Sequence, residues 1–279
     1  MSWEELETIF NRELRFSFSR KKLLFVLPIT MLCGLITALC RTFSFNASDW
    51  VHLNLVFLPI FLCGSLLMLA GIILTRIYHH EVKGLDVNYH KILLQSKGLF
   101  LGIFHMAVPL VFAYLTLWMI LGVFYLAKNL FYIGDVLGAI LSFGPFVLVL
   151  GALVLSVFNL LLIFFVTPQV ALKSDHRPQL SKELLVRFQE NSFLTFFLPI
   201  IGLLPVLLLA GLLSLAAVVT HLLYVEAEQH LSVALQWFFM MLPFSILLSP
   251  GVVFFFNFSA ESYVLVQRKV KSAIREQIK

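Results

Sequence analysis

A chain of 279 residues that is 60% hydrophobic and 13% charged lacks the polar surface of a water-soluble domain, which carries roughly 25% charged residues. Its net charge of +5 and pI of 9.2 come from 20 Lys and Arg against 15 Asp and Glu. The basic residues fall between six apolar runs, so the basicity reads as membrane orientation and not as nucleic-acid binding.

The chain opens with Ser2-Trp3-Glu4-Glu5, a capping-box pattern. Trp3, Leu6, Phe10 and Leu14 follow at helical spacing. Residues 1–22 are therefore predicted to form an amphipathic helix on the membrane surface, with Arg20, Lys21 and Lys22 snorkelling to the headgroups. Six apolar runs come next, at about 23–40, 53–75, 99–126, 136–166, 193–223 and 231–258. A helix crosses the hydrocarbon in about 20 residues, so the first run is barely long enough and the fourth exceeds the need. The runs are continuously apolar and do not alternate, which excludes a barrel. The first run is read as a span and not as a cleaved signal: its 22-residue polar lead is long, and Leu39 stands where a small residue belongs.

Between the spans, Leu85, Tyr89, Ile92 and Leu93 in loop 76–98 and Leu184, Leu185 and Phe188 in loop 169–192 repeat the amphipathic theme. The tail at 259–279 sets Val266, Val270, Ile274 and Ile278 against Arg268, Lys271 and Arg275. Each is expected to be an interfacial helix, and loops 76–98 and 169–192 are candidate docking surfaces for a membrane or cytosolic partner. Eighteen of the 20 basic residues lie in residues 1–22, 76–98, 169–192 and 258–279, and only Arg41 and Lys128 lie in the intervening stretches. Basic loops stay cytoplasmic, which predicts both termini inside, with a net charge of +7 inside and −2 outside. The expected fold is an all-α, polytopic bundle of six transmembrane helices, one integral membrane domain, with membrane lipid as its constant partner.

Three units of amphipathic helix, span, outer loop and span start near residues 1, 82 and 170, and the closest match is His90–Leu94 against Ser181–Leu185. Every span holds proline, at Pro28, Pro59, Pro109, Pro145, Pro199 with Pro205, and Pro243 with Pro250. Interior prolines free backbone carbonyls and bend helices, as around a transporter cavity, though membrane helices also tolerate them. Gly34…Ala38, Gly134…Gly138 and Ala210…Ser214 have the spacing of small residues at close helix contacts.

No acidic or basic residue falls inside the predicted hydrocarbon segments, which argues against a proton- or sodium-driven carrier and against an intramembrane aspartyl protease. The candidate intramembrane polar positions are His105, Ser156, Asn159, Gln236 and Asn257, with Thr167 beside them. Their default role is hydrogen bonding between helices, each worth roughly 0.6 kcal/mol. Catalysis would require His105 to face Ser156, and no Gly-x-Ser-x-Gly accompanies them. His79-His80-Glu81 with His90, and His221, Glu226, Glu228 and His230, lack metalloprotease spacing. There is no Walker motif or dinucleotide fingerprint. Cys33, Cys40 and Cys63 all lie in apolar runs and read as packing residues. Neither a cofactor, a metal nor an enzymatic activity is expected.

The basic amphipathic lead, the proline-containing span pair and the stretch Phe165-Val166-Thr167-Pro168-Gln169-Val170-Ala171-Leu172 before the next span resemble uncharacterised six-helix bacterial inner-membrane families. Those families are related to the membrane domain fused to some glycerophosphodiester phosphodiesterases. There the stretch continues with an acidic residue and a glycine, where this chain has Lys173-Ser174-Asp175. The resemblance implies a bacterial cytoplasmic-membrane protein and carries over no catalytic residue. The functional expectation is a non-enzymatic protein that packs with, assembles or modulates a membrane partner. The alternative is a permease subunit for an apolar or lipid-like solute, energised by a separate ATPase.

Overall fold

The computed structural model describes residues 3–85, 89–130, 143–172, 192–220 and 230–277, with side chains except at 3–5, 49, 90, 97, 100–106, 125, 127–130, 192–196 and 266–277. The described residues form helices α1 (Trp3–Ser17), α2 (Arg20–Ser44), α3 (Asp49–Val82), α4 (Tyr89–Leu130), α5 (Phe143–Leu172), α6 (Ser192–Val219) and α7 (His230–Gln277). Six of them, α2 to α7, are long and apolar enough to cross a membrane, so the chain is a multi-pass helical bundle. Large apolar side chains such as Leu24, Phe112, Met119 and Val219 point outward, as they do where lipid replaces water as solvent.

Short links set the topology. Only Phe18 and Ser19 separate α1 from α2. Between α2 and α3 the chain turns in four residues, with Asn46 at φ 59°, a left-handed conformation that asparagine tolerates. Ser44 and His52 close that turn, Oγ to Nδ1, at 2.7 Å. α3 ends in a Schellman motif: Leu85 N–H donates to the His80 carbonyl (2.9 Å) and Gly84 N–H to that of Glu81 (3.1 Å). Gly84 sits at φ +64°, where a side chain would be strained.

α3 lies at the centre, against α2, α4, α5 and α7, and α7 in turn packs on α1, α2, α5 and α6. The main core is aromatic, with Phe164, Phe165, Phe254, Phe255, Phe256 and Phe258 all buried. Glycines let these rings in. Gly71 of α3 lies beneath the Phe256 ring, and Gly202 of α6 faces both Phe164 and Phe258. Gly34 and Ala38 are buried in α2, and Gly34 faces Ser245 and Met241 of α7, so this small-residue pair works at an interface. Ser214 is exposed instead, and Gly134…Gly138 lies outside the described residues.

Hydroxyls and amides stitch the helices across the apolar interior. Thr30 Oγ1 and Ser245 Oγ each lie 3.1 Å from the other's carbonyl, across α2 and α7, and each also reaches a carbonyl of its own helix, Leu27 at 3.0 Å and Met241 at 2.8 Å. Tyr114 of α4 donates to the Asn54 carbonyl of α3 and stacks on Phe61 at 4.6 Å. Ser259 of α7 donates to the Phe164 carbonyl of α5.

Several segments read as loops or separate interfacial helices are extensions of the spans. Residues 76–82 belong to α3 and 89–98 to α4, so the connection between these two helices is confined to 83–88. Residues 169–172 continue α5, and Pro168 is buried inside that helix. The tail at 259–277 continues α7 without a break. Hydrogen bonding propagates each helix past the edge of its apolar run, which hydropathy alone does not register. In the second predicted repeat unit the amphipathic stretch is therefore fused to its span within α4, and the matching stretch of the third unit lies outside the described residues. Leu85 and Leu93 are exposed, while Ile92, Ser96 and Leu99 form the buried stripe of α4.

Candidate functional site

Two features of the bundle stand apart from ordinary helix packing: a knot of buried charge at one end and a lateral cleft in the apolar zone.

The knot forms where α1 docks. Its buried face is Leu6, Ile9, Phe10, Glu13 and Ser17, with Phe10 edge-on to Phe254 of α7 at 4.9 Å. The predicted stripe through Leu14 is turned, since Leu14 is 41% exposed and the fully buried Glu13 takes the inner place. A carboxyl group is tolerated there because partners from two distant helices meet it. Tyr78 of α3 points its hydroxyl at Glu13 Oε1 and lies 2.7 Å from Glu261 Oε1 of α7. Arg12 pairs with Glu261 and reaches Glu13 Oε1 from Nε at 3.3 Å. Both chain ends are thereby tied at the same end of the bundle.

The proton count of this cluster is informative. A tyrosine hydroxyl has one hydrogen to donate, yet two carboxyl oxygens face it. Both contacts are hydrogen bonds only if one carboxyl brings a proton of its own. Arg12 pairs with Glu261 as well as with Glu13. Glu13 is the proton holder: loss of water pushes its carboxyl up to about 7, the neighbouring Glu261 charge adds to this, and Tyr78 and Arg12 oppose it. Its Oε2 atom has no partner, which also suits a neutral acid. The array can thus hold one proton between α1, α3 and α7.

Lys22 departs from its expected snorkelling. It is fully buried, its Nζ 2.6 Å from Glu81 Oε2 of α3 and 5.2 Å above the Tyr78 ring. The contact is an ion pair whose angles fall short of a hydrogen bond. Arg20 and Lys21 remain exposed. Two residues separate α2 from α1, and for Lys22 the Glu81 charge replaces headgroup solvation. Beside this knot, Arg76 donates to the Ala171 carbonyl (3.1 Å) and to Ser96 Oγ (3.2 Å), closing one wall of a 430 Å³ surface cleft.

The second feature is a cleft of about 390 Å³ among α2, α3, α6 and α7, walled by residues such as Cys33, Val56, Cys63, Val206 and Leu248. Several of its polar side chains are engaged with backbone carbonyls. Thr30 and Ser245 bond each other's carbonyls, Thr37 donates to the Cys33 carbonyl at 2.9 Å, and the Cys63 thiol points to the same carbonyl at 3.6 Å. Arg41 stands at one end, 5.3 Å from the Trp237 ring.

The positions singled out from the sequence are scattered. Asn159 is buried, donates to the Ile60 carbonyl at 3.4 Å and abuts Gly64, the expected interhelical role. Ser156 donates to the Ala152 carbonyl of its own helix at 2.8 Å. Gln236 is half-buried in α7. Asn257 is fully buried with neither amide atom hydrogen-bonded, as is the Thr167 hydroxyl. His105 lies in α4, outside the described side chains. His80 bonds the Arg76 carbonyl of its own helix at 2.8 Å, and His230 packs on the Phe45 ring at 5.4 Å. His221, Glu226 and Glu228 lie outside the described residues. The sequence reading missed Glu13, Tyr78 and Glu261. The one available signal was a glutamate at the inward-facing i+4 position from Ile9.

No family model, curated protein or solved structure matches this chain.

Proposed function

We propose that the protein is a non-enzymatic, multi-pass protein of a bacterial inner membrane that packs with and modulates a membrane partner through its basic end. The positive-inside rule and the resemblance to bacterial six-helix families support that location, with both termini cytoplasmic. The observation that carries the functional reading is the length of α7. This helix runs 48 residues, about 72 Å at 1.5 Å per residue, well over twice a hydrocarbon thickness of about 30 Å. Its last turns continue beyond the Arg12–Glu13–Tyr78–Glu261 knot as one rod, and their sequence holds Arg268, Lys269, Lys271 and Arg275. A basic helical arm anchored by a buried network suits recognition of an acidic partner surface at the membrane.

The test is site-specific photocrosslinking in intact cells from positions 266–277. One dominant protein adduct, lost on charge reversal of Arg268, Lys269, Lys271 and Arg275, is expected. Adducts to lipid alone would overturn the reading.

The cleft favours a second reading, a permease subunit for an apolar or lipid-like solute driven by a separate ATPase. A co-purifying nucleotide-hydrolysing subunit whose turnover rises with solute would select it. Its docking surface would be smaller than the sequence implies, because loop 76–98 is mostly helix.

A further inference from the structure

We propose that the lateral cleft seats one acyl chain of an anionic membrane phospholipid, with the headgroup held at Arg41, in the leaflet opposite the basic end. This goes beyond both functional readings and depends on neither, since a packing subunit and a permease can each hold a structural lipid.

Three observations converge on this occupant. The first is length. The cleft follows α2 from Thr30 to Arg41, eleven residues or about 16 Å, close to half the hydrocarbon thickness of about 30 Å and so to the depth of one leaflet. The second is surface chemistry. Every hydroxyl and thiol whose bond is described above is spent on a backbone carbonyl, so the space presents hydrocarbon along its length. A volume of about 390 Å³ falls within the range of ligand sites, and an apolar cavity of about 150 Å³ already takes up benzene. Away from Arg41 the wall is mostly hydrocarbon, which suits an acyl chain better than a polar solute.

The third is charge. Among the described residues no carboxylate pairs with Arg41; its contact is the face of Trp237 at 5.3 Å. Arg41 lies at the far end of α2 from Lys22 and one turn from Ser44, where the chain bends back to α3. It therefore stands at the depth of the headgroups, with Trp237 beside it as an interfacial aromatic. Guanidinium binds phosphate oxygens through a planar fork of donors, so a phosphodiester is the anion that suits this place.

The full chain, reconstituted in nanodiscs, is tested with phosphatidylglycerol and phosphatidylcholine probes bearing the same diazirine-labelled acyl chain. Adducts are expected to concentrate on peptides 30–41, 55–67 and 241–252. The phosphatidylglycerol probe should label these at least about fivefold more than the phosphatidylcholine probe, a difference of about 1 kcal/mol. Excess unlabelled phosphatidylglycerol should suppress the adducts, and phosphatidylcholine should not. Arg41→Gln should bring the two probes to equal yield. Val56→Trp should block labelling by filling the cleft; if that variant does not elute as a folded monomer, the competition arm still decides. Labelling spread over the outward faces of α4 and α6, or equal yields of the two probes in the unaltered protein, would overturn the proposal. So would a photocrosslinker at position 56 that captures a protein helix in place of lipid.

Discussion

Tyr78 lies between two carboxyl groups that are distant in sequence, Glu13 of the first helix and Glu261 of the last, and it can hydrogen-bond both only while one of them carries a proton. The closure of the bundle's basic end is therefore coupled to a protonation state.

That coupling fixes the sign of a pH effect. In the docked state the Glu13 carboxyl is pushed up to about 7 from an ordinary 4.5. The part of the docking of α1 that is linked to Glu13 protonation is thus fully present below about 4.5 and is lost as pH rises through about 7. The charges facing Glu13 are Arg12 on α1, Glu261 on α7 and, across the Tyr78 ring, Lys22 on α2. Thermal midpoints in detergent between pH 5 and 8.5 should fall for the unaltered protein and stay level for Glu13→Gln. A midpoint that climbs with pH would contradict the assignment.

Tyr78→Phe keeps the ring contact with Phe16, centroids 6.4 Å apart, and removes only the hydroxyl. Both carboxyl groups then lose their shared partner. The expected cost is about 1–3 kcal/mol, read as earlier unfolding and as faster proteolysis within residues 3–19. Unchanged proteolysis there would show that the hydroxyl contributes little.

The Lys22–Glu81 pair should respond unequally to removal of either member. Lys22 is fully buried, whereas Glu81 keeps 22% of its side-chain surface. Glu81→Gln strands a buried ammonium and should cost up to about 3–5 kcal/mol, while Lys22→Met leaves a carboxylate that water can reach and should cost less. The double substitution should recover most of the loss. If Lys22→Met proved the worse variant, the burial order of the pair would be wrong.

Close packing at Gly71 leaves no room for a methyl group, because a Cβ there would enter the Phe256 ring. Gly71→Ala should destabilise by about 1–3 kcal/mol, and Phe256→Leu in the same chain should relieve part of it. Gly211→Ala, with nothing within 4 Å, is the matched control and should be neutral in expression level and thermal midpoint.

The architecture was legible because the solvent changes so sharply along this chain: continuous apolar runs mark six helices. The helix ends were less legible, since residues such as Gln169 and Ala171 are polar or short yet lie buried in α5. Asn159 was recoverable as an isolated amide in an apolar run. Glu13 was not, because its burial depends on Tyr78 and Glu261, 65 and 248 positions away, and local periodicity favoured Leu14. The cleft was equally hidden, since it arises from how four helices cross and not from any one of them.

The Arg12–Glu261 pair also has a consequence for biogenesis. During synthesis the first helix leaves the ribosome long before its docking site exists, because that site is completed only when residue 261 has been made. Until then residues 3–17 must wait on the membrane surface or against a chaperone, with Ile9 and Phe10 uncovered. Nascent chains arrested before residue 261 should be cleaved in this segment by a protease on its own side of the membrane, and those arrested in an added C-terminal extension long enough to bring residue 277 out of the ribosome should resist.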